Sequence, residues 1–362
     1  MMKTLKKLSS LALASVALFM PSVIYANDLE GKSWSEIEVQ AKKEGNVTVS
    51  IWYLQPQFRT FVKQFEQQYG IKVRIPEGTV DGNINKLFAE KNQAKGKMDV
   101  IALGAENLHN VFKNEVVADI SFIPDFEKRN HKLQGVELGV FAVGFWGNQT
   151  GFAYDPLKIS EDKLPQTWAD MENYLKSNPK KFGYSDPNGG SSGTAFIQRT
   201  IINVVGDYNY QTQEVNPEQV TKWATAWQWF RDNNGNLTRT ASNADSLTRL
   251  NDGELDIVSA WKDHLFSLQK QGAITDRLKF YIPQFGMPAG GNAMVIAKNA
   301  PNPAASLLFV HWISSPEIQS KLSESFGVRP LDSTSGENDV VFFVRPWTKA
   351  IAEAFTKEVV SK

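Results

Sequence analysis

Between Ser185 and Thr194 the chain reads Ser-Asp-Pro-Asn-Gly-Gly-Ser-Ser-Gly-Thr, and an apolar helical pattern, Ala195 to Val205, follows at once. Turn-forming residues therefore lead into a helix whose first amides have no partner of their own. Those N–H groups, the hydroxyls of Ser191, Ser192 and Thr194 with Gly193 between them, and the positive end of the helix dipole suit an anionic or polar ligand. A plain capped turn would use the same residues. The segment also contains a literal G-x-S-x-G, Gly189 to Gly193, the pattern of a hydrolase nucleophile elbow around Ser191. An elbow needs a hydrophobic strand running directly into its serine, whereas Asp186-Pro187-Asn188 is turn chemistry. Asp263 and then His264 or His311 follow in triad order, but a chain of this size offers such pairs by chance.

Aromatic residues give the second signal. There are ten tryptophans. Trp52 with Tyr53, Trp146 and Trp261 each fall just past the end of an apolar run that reads as a strand. Open α/β sheets place their ligand crevices there. Such rings can stack on a ligand ring or hold a cation over an aromatic face. Glu106 and Asp263 occupy similar positions and could pair with an ammonium group. Taken singly, each tryptophan reads better as core packing, and it is their shared placement that favours a site for the set; Trp223 and Trp227, spaced i, i+4, read most simply as core. The four histidines, His109, His131, His264 and His311, show no ligand spacing, and there is no G-x-x-x-x-G-K-[ST]. Neither a metal nor a cofactor is expected.

These residues must be positioned by alternating strands and helices. Trp34 to Gly45 reads as a helix with a glycine stop. Val47 to Ile51 alternates as a strand. Phe58 to Tyr69 has helical spacing and ends at Gly70, Ile71 to Ile75 is a strand, and Met98 to Leu103 is a strand apolar on both faces. Phe141–Phe145 and Thr150–Tyr154 read as two further strands. Thr167 to Asp170 has the pattern of a capping box for a helix to Ser177. Val220 to Phe230 is amphipathic, Leu255 to Ala260 is a strand, Ser315-Pro316 starts a helix with a hydroxyl cap, and the last helix runs from about Thr348 to Val360. This rhythm predicts an α/β fold with mixed sheets covered by helices.

The 362 residues suggest two domains, at about one per 150 residues. Lys plus Arg and Asp plus Glu both number 39, a balance unlike the basic excess of nucleic-acid binders. With no cysteine, disulfides, thiolate nucleophiles and lipidated-cysteine anchors are all absent. Residues 1–26 have the layout of a cleavable secretory leader, with Lys3, Lys6 and Lys7, an apolar stretch to Met20 and a small residue at Ala26. Without it the balance becomes 36 basic to 39 acidic residues, formally −3.

Several stretches resemble the periplasmic solute-binding proteins of ABC importers, in the cluster with polyamine, thiamine, iron and phosphorylated-solute binders. AKKEGNVTVSIWY followed by FVKQFEQQYGIKV is similar to that family's opening strand–helix–strand. KMDVIALGAEN, TGFAYDPLKIS with LPQTWADM, GELDIVSAWKD and PQFGMPAGGNAMVIAKNAPNPAASLLFVHWISSPEIQ carry the likeness over nearly the whole chain beyond the leader. The resemblance implies a two-lobed type II binding fold, a mixed sheet flanked by helices in each lobe, with the ligand in a cleft that closes on it. One lobe is expected over 27–140 with part of 262–362, the second over 141–261, to which part of the C-terminal helices could belong. The implied cleft residues are Trp52, Tyr53, Glu106, Asn107, Trp146, Ser191 to Thr194, Trp261, Asp263 and, by resemblance alone, Phe285, Gly286 and Met287. The implied partners are a membrane permease and its ATPase, reached from the periplasm by a monomer.

For the solute, the likeness of NPKKFGYSDPNGGSSGTAF to thiamine-type and phosphate-ester-type relatives points to a small organic molecule with an anionic group on the serine-rich turn. Iron is disfavoured, since such binders typically use adjacent tyrosines and the nearest pair here is Tyr208 and Tyr210. A polyamine on the aromatics and carboxylates is the alternative within the fold. A secreted serine hydrolase and a chemoreceptor-linked sensor are alternatives of other classes.

Overall fold

The computed structural model describes residues 29–134, 136–331 and 339–362. The expected leader, 1–26, lies outside them. In chain order the strands are β1 (Asn46–Ser50), β2 (Lys72–Arg74), β3 (Val100–Gly104), the short pair β4 (Lys132–Leu133) and β5 (Val136–Glu137), β6 (Val143–Tyr154), β7 (Phe182–Ser185), β8 (Leu237–Thr240), β9 (Ile257–Trp261), β10 (Lys279–Tyr281), β11 (Met287–Ile296) and β12 (Asp339–Val341). Apart from β4 and β5 they form one mixed sheet, ordered β2-β1-β3-β11-β6-β9-β7-β8, with β10 on β6 and β12 on β11. β1 pairs in parallel with β2 and β3, and β7 with β8 and β9, whereas β11 and β6 run antiparallel to each other and to their neighbours β3 and β9.

The first half of β6 pairs with β11 and its second half, Thr150 to Tyr154, with β9. The two strands read at Phe141–Phe145 and Thr150–Tyr154 are thus one. The glycine between them, Gly147, is not a turn residue: a Cβ there would lie 2.5 Å from the carbonyl oxygen of Arg329, which pairs beside it in an isolated antiparallel bridge. A glycine inside a strand often marks such a close backbone approach. The register between β11 and β6 shifts at Asn292/Ala293, a bulge-type irregularity.

The apolar side chains form two large cores. One takes residues from Leu29 to Trp146 and from Ala293 to Leu331; the other takes Phe152 to Ile257, Met287 and Phe343 to Phe355. A smaller cluster, Ala153 with Leu247 to Leu278, backs the second. β3 is buried at all five positions, as its unbroken apolar run predicts for a strand covered on both faces.

Local signals explain most helix ends. Gly45 and Gly70 stop their helices in the left-handed conformation, at φ 70° and 71°. Thr167 and Asp170 form the reciprocal capping box of helix Trp168–Ser177. Four expectations change. The Phe58 to Tyr69 pattern is two helices meeting at Val62, and the Val220 to Phe230 pattern two meeting at Trp223. Ser315 does not cap helix Pro316–Phe326, because its hydroxyl donates to the Trp312 carbonyl. The C-terminal helix starts earlier, as Arg345–Phe355, and ends in a wider turn over Thr356–Val360.

Candidate functional site

A cavity of about 540 Å³ opens where elements of the two cores face each other. Trp52 and Tyr53 reach it from the loop after β1, and Glu106 from the start of helix Ala105–Lys113 after β3. Asn148 of β6, Ser191, Trp261 and Asp263 supply the opposite wall, with Gly290 to Asn292 of β11 between. Phe342, Phe343, Arg345 and Lys349 close it from the C-terminal segment. The residues after β1, β3 and β9 thus lie beyond the C-terminal ends of strands, where crevices form in open sheets.

Asp263 is the most constrained of these groups. Its carboxylate is 1% exposed and accepts Trp146 Nε1–H at 3.2 Å and the His264 amide at 3.0 Å. Burial nevertheless pushes its carboxyl up to about 6, with those bonds and the Asn148 side chain pulling the other way. Burial, and then the Asp263 charge, pushes the Tyr53 phenol up, so it stays a neutral donor. His264, lowered by burial, is a neutral imidazole at pH 7.

Trp261 forms a fixed platform. Its indole N–H donates to Ser191 Oγ at 2.9 Å, and its ring lies parallel to Phe342, with centroids 5.7 Å apart and planes at 9°. Its ring edge presses on β11 so closely that a Cβ on Gly290 would come within 2.5 Å of it and 2.1 Å of Asn148 Oδ1. Only glycine fits there.

Glu106 is half-buried and folds back over Gly104, where a Cβ would meet its carboxylate at 2.3 Å. Asn107 Nδ2 donates to it at 2.7 Å; burial raises its carboxyl, opposed by its own amide and by nearby Arg345. Arg345 donates to Asn107 Oδ1 at 3.3 Å and pairs with Asp81.

The expected residues therefore divide. Trp52, Tyr53, Glu106, Ser191, Trp261 and Asp263 share the cavity wall. Asn107 lies behind Glu106 and lines an adjoining chamber. Trp146 is interior to the first core, its ring 4.9 Å from that of Phe326, and supports the site from behind through its bond to Asp263 and an edge-on ring contact with Tyr53, centroids 6.4 Å apart. Ser192, Gly193 and Thr194 are buried in helix Ser191–Val205. Two of the amides expected to cradle an anion are already used: Ser192 N–H donates to Asn243 Oδ1 at 3.2 Å and Gly193 N–H to Ser185 Oγ at 2.9 Å. Phe285 packs on Trp168 and Phe152 in the second core, followed by Gly286 at the turn into Met287, which is buried; none of the three lines the cavity.

Sequence reasoning missed Asn148, Gly290, Phe342, Arg345 and Lys349. The one usable signal was in the last helix, where Trp347, Ile351 and Phe355 make an apolar face and Arg345 and Lys349 fall together on another. Ser191 Oγ accepts the Trp261 indole N–H rather than bonding a histidine, and β7 ends six residues before it, so no nucleophile elbow forms. Among the described residues no group of three or more His, Cys, Asp or Glu could hold a metal ion.

The fold and cleft are those of two-lobed type II binding proteins. The chain belongs to the bacterial extracellular solute-binding protein family, whose pattern it matches over residues 60–344. This is a family of transport binding proteins rather than enzymes. Comparison with curated protein sequences gives no match. Among solved structures it is similar to an extracellular solute-binding protein from Bordetella parapertussis (15% identity, 88% of this chain and 99% of that one, TM-score 0.68). It is also similar to a spermidine/putrescine ABC transporter substrate-binding protein from Streptococcus pneumoniae (13%, 78% and 81%, 0.57) and to a periplasmic thiamin-binding protein (14%, 86% and 94%, 0.58).

Proposed function

We propose that this protein is the periplasmic binding component of an ABC importer, taking a small organic solute into the cleft and presenting the closed form to a permease and its ATPase. In this reading the first lobe is 27–140 extended to Trp146, with the segment built into the first core near 293–331; the second is the remainder of 141–261 with the last helix. The observation that carries this reading is the cavity itself. Both cores contribute to its wall, and a solute touching both stabilises closure by its differential affinity for the closed state.

Within the cavity a ring or an ammonium group is served by Trp52, Tyr53, Trp261 and the buried Asp263. The other end of the solute is anionic, as in phosphorylated or thiamine-like molecules, and faces Arg345 and Lys349. The polyamine reading has its own support in the two carboxylates, Glu106 and Asp263, beside aromatic rings, and in the named ligands of the Streptococcus pneumoniae neighbour. A sensor would use the same cleft; permease and ATPase genes beside this one would favour transport.

The experiment is mass spectrometry of the small molecule that co-purifies with the protein from the periplasm. Calorimetry of refolded protein against thiamine phosphates, aminophosphonates, sugar phosphates and polyamines would follow. The anionic reading expects binding of a phosphoryl- or phosphonate-bearing member, and tight binding of polyamines alone would sink it.

A further inference from the structure

Beside the cavity lies a second chamber of about 750 Å³, sharing Glu106, Arg345 and Lys349 with it. Two helices from different cores face each other across this chamber. Helix Ala105–Lys113 presents His109 and Lys113, and helix Arg345–Phe355 presents Arg345 and Lys349. Each pair has the i, i+4 spacing that puts both side chains on one face of a helix.

Two acids also face the chamber. Asp81 is engaged with Arg345, and Glu106 is tied to Asn107. Among the described residues Lys113 has no ion-pair partner, and Lys349 reaches only Glu353, at 3.9 Å. The helix-start amides of Ser192 and Gly193 are already bonded within the fold.

We infer that this second chamber seats a phosphoryl group of the solute, held between His109 and Lys113 of one lobe and Arg345 and Lys349 of the other. The inference rests on the anionic-solute reading above and moves the charged end past Arg345. Without an anion Arg345 is already matched across the cleft by Asp81 and Asn107, whereas Lys113 and Lys349 face the chamber with no comparable partner there. An oxyanion with several acceptors bridges them, and charge-assisted bonds from both helices are made together only when the lobes are closed.

The test uses inorganic pyrophosphate, followed by its 31P resonance in titrations of the full protein and of Lys113→Gln, Lys349→Gln and, as a remote control, Lys176→Gln. All three lysines are exposed, and circular dichroism checks that each variant folds. Loss of one charge-assisted contact should weaken pyrophosphate binding about tenfold in Lys113→Gln and in Lys349→Gln. Lys176→Gln should match the parent. Binding undiminished in the two chamber variants overturns the seat, and so does an equal loss in Lys176→Gln, which would mean diffuse charge attraction. The co-purification experiment reports separately on transport. Pyrophosphate bound at the chamber with no solute retained would count against the importer and leave the seat standing.

Discussion

The indole of Trp146, interior to the first core, donates to the carboxylate of Asp263, 117 positions away at the start of a helix whose Leu265 packs in the smaller third cluster. A ring chosen from the sequence as a stacking surface is instead a donor that supports a charged residue of the site from behind.

Trp146→Phe keeps most of the buried ring and removes that donor. A buried carboxylate that loses a hydrogen bond should cost about 1–3 kcal/mol of stability. Urea unfolding at pH 7 is the measurement. No loss would mean that Asp263 finds another donor.

Asp263 makes stability depend on pH with a definite sign. Its carboxyl is raised in the folded state to about 6 from an ordinary 3.8, so its contribution is fully present below the unfolded value and lost as pH rises through the folded one. The difference corresponds to about 3 kcal/mol at most, spread over about pH 4 to 6. Asp263→Asn should flatten the profile in that window. Parallel melting curves of parent and variant across pH 4–7 would refute the assignment.

Trp261 and Trp146 should separate function from folding. Trp261→Ala should weaken binding of the retained solute by about 1–3 kcal/mol if a ring stacks there, by analogy with base–aromatic stacking. Trp146→Ala should instead cost about 3–5 kcal/mol of stability, as for other buried large-to-small changes. Calorimetry and thermal melting of the two variants side by side read the contrast.

Ser192→Leu should lower the melting temperature of the ligand-free protein. The Ser192 hydroxyl is fully buried and bonds Asn243 Oδ1 at 2.7 Å and the Ser259 carbonyl at 3.1 Å, leaving no room for a larger side chain. Overpacking of this kind typically costs about 1–3 kcal/mol. An unchanged melting temperature with weakened solute binding would return Ser192 to the ligand side.

Elements with a strong local cause were legible in the sequence. The apolar run of β3, the glycine stops at Gly45 and Gly70 and the box at Thr167 act within a few residues. Site residues at or just past strand ends, Tyr53, Glu106 and Trp261, were legible because an apolar run marks where each strand stops. Arg345, Lys349 and Phe342 were not. They reach the cavity because their segment follows β12, which pairs with β11, which lies between β3 and β6. No local pattern encodes that neighbourhood. Ser192 and Gly193 misled in the opposite direction, since their partners Asn243 and Ser185 are remote or precede the turn.

β6 and β11 belong to both cores at once, and the chain returns to the second core a last time after Leu331. Neither half is therefore a contiguous stretch of the gene. Exchanging one lobe with that of a relative would require three simultaneous junctions, near 147–151, 287–293 and 331–343, two of them inside hydrogen-bonded strands. Recombination by simple crossover would break the ladder that joins the lobes. Substitutions along the cleft, by contrast, change its lining and leave that ladder intact.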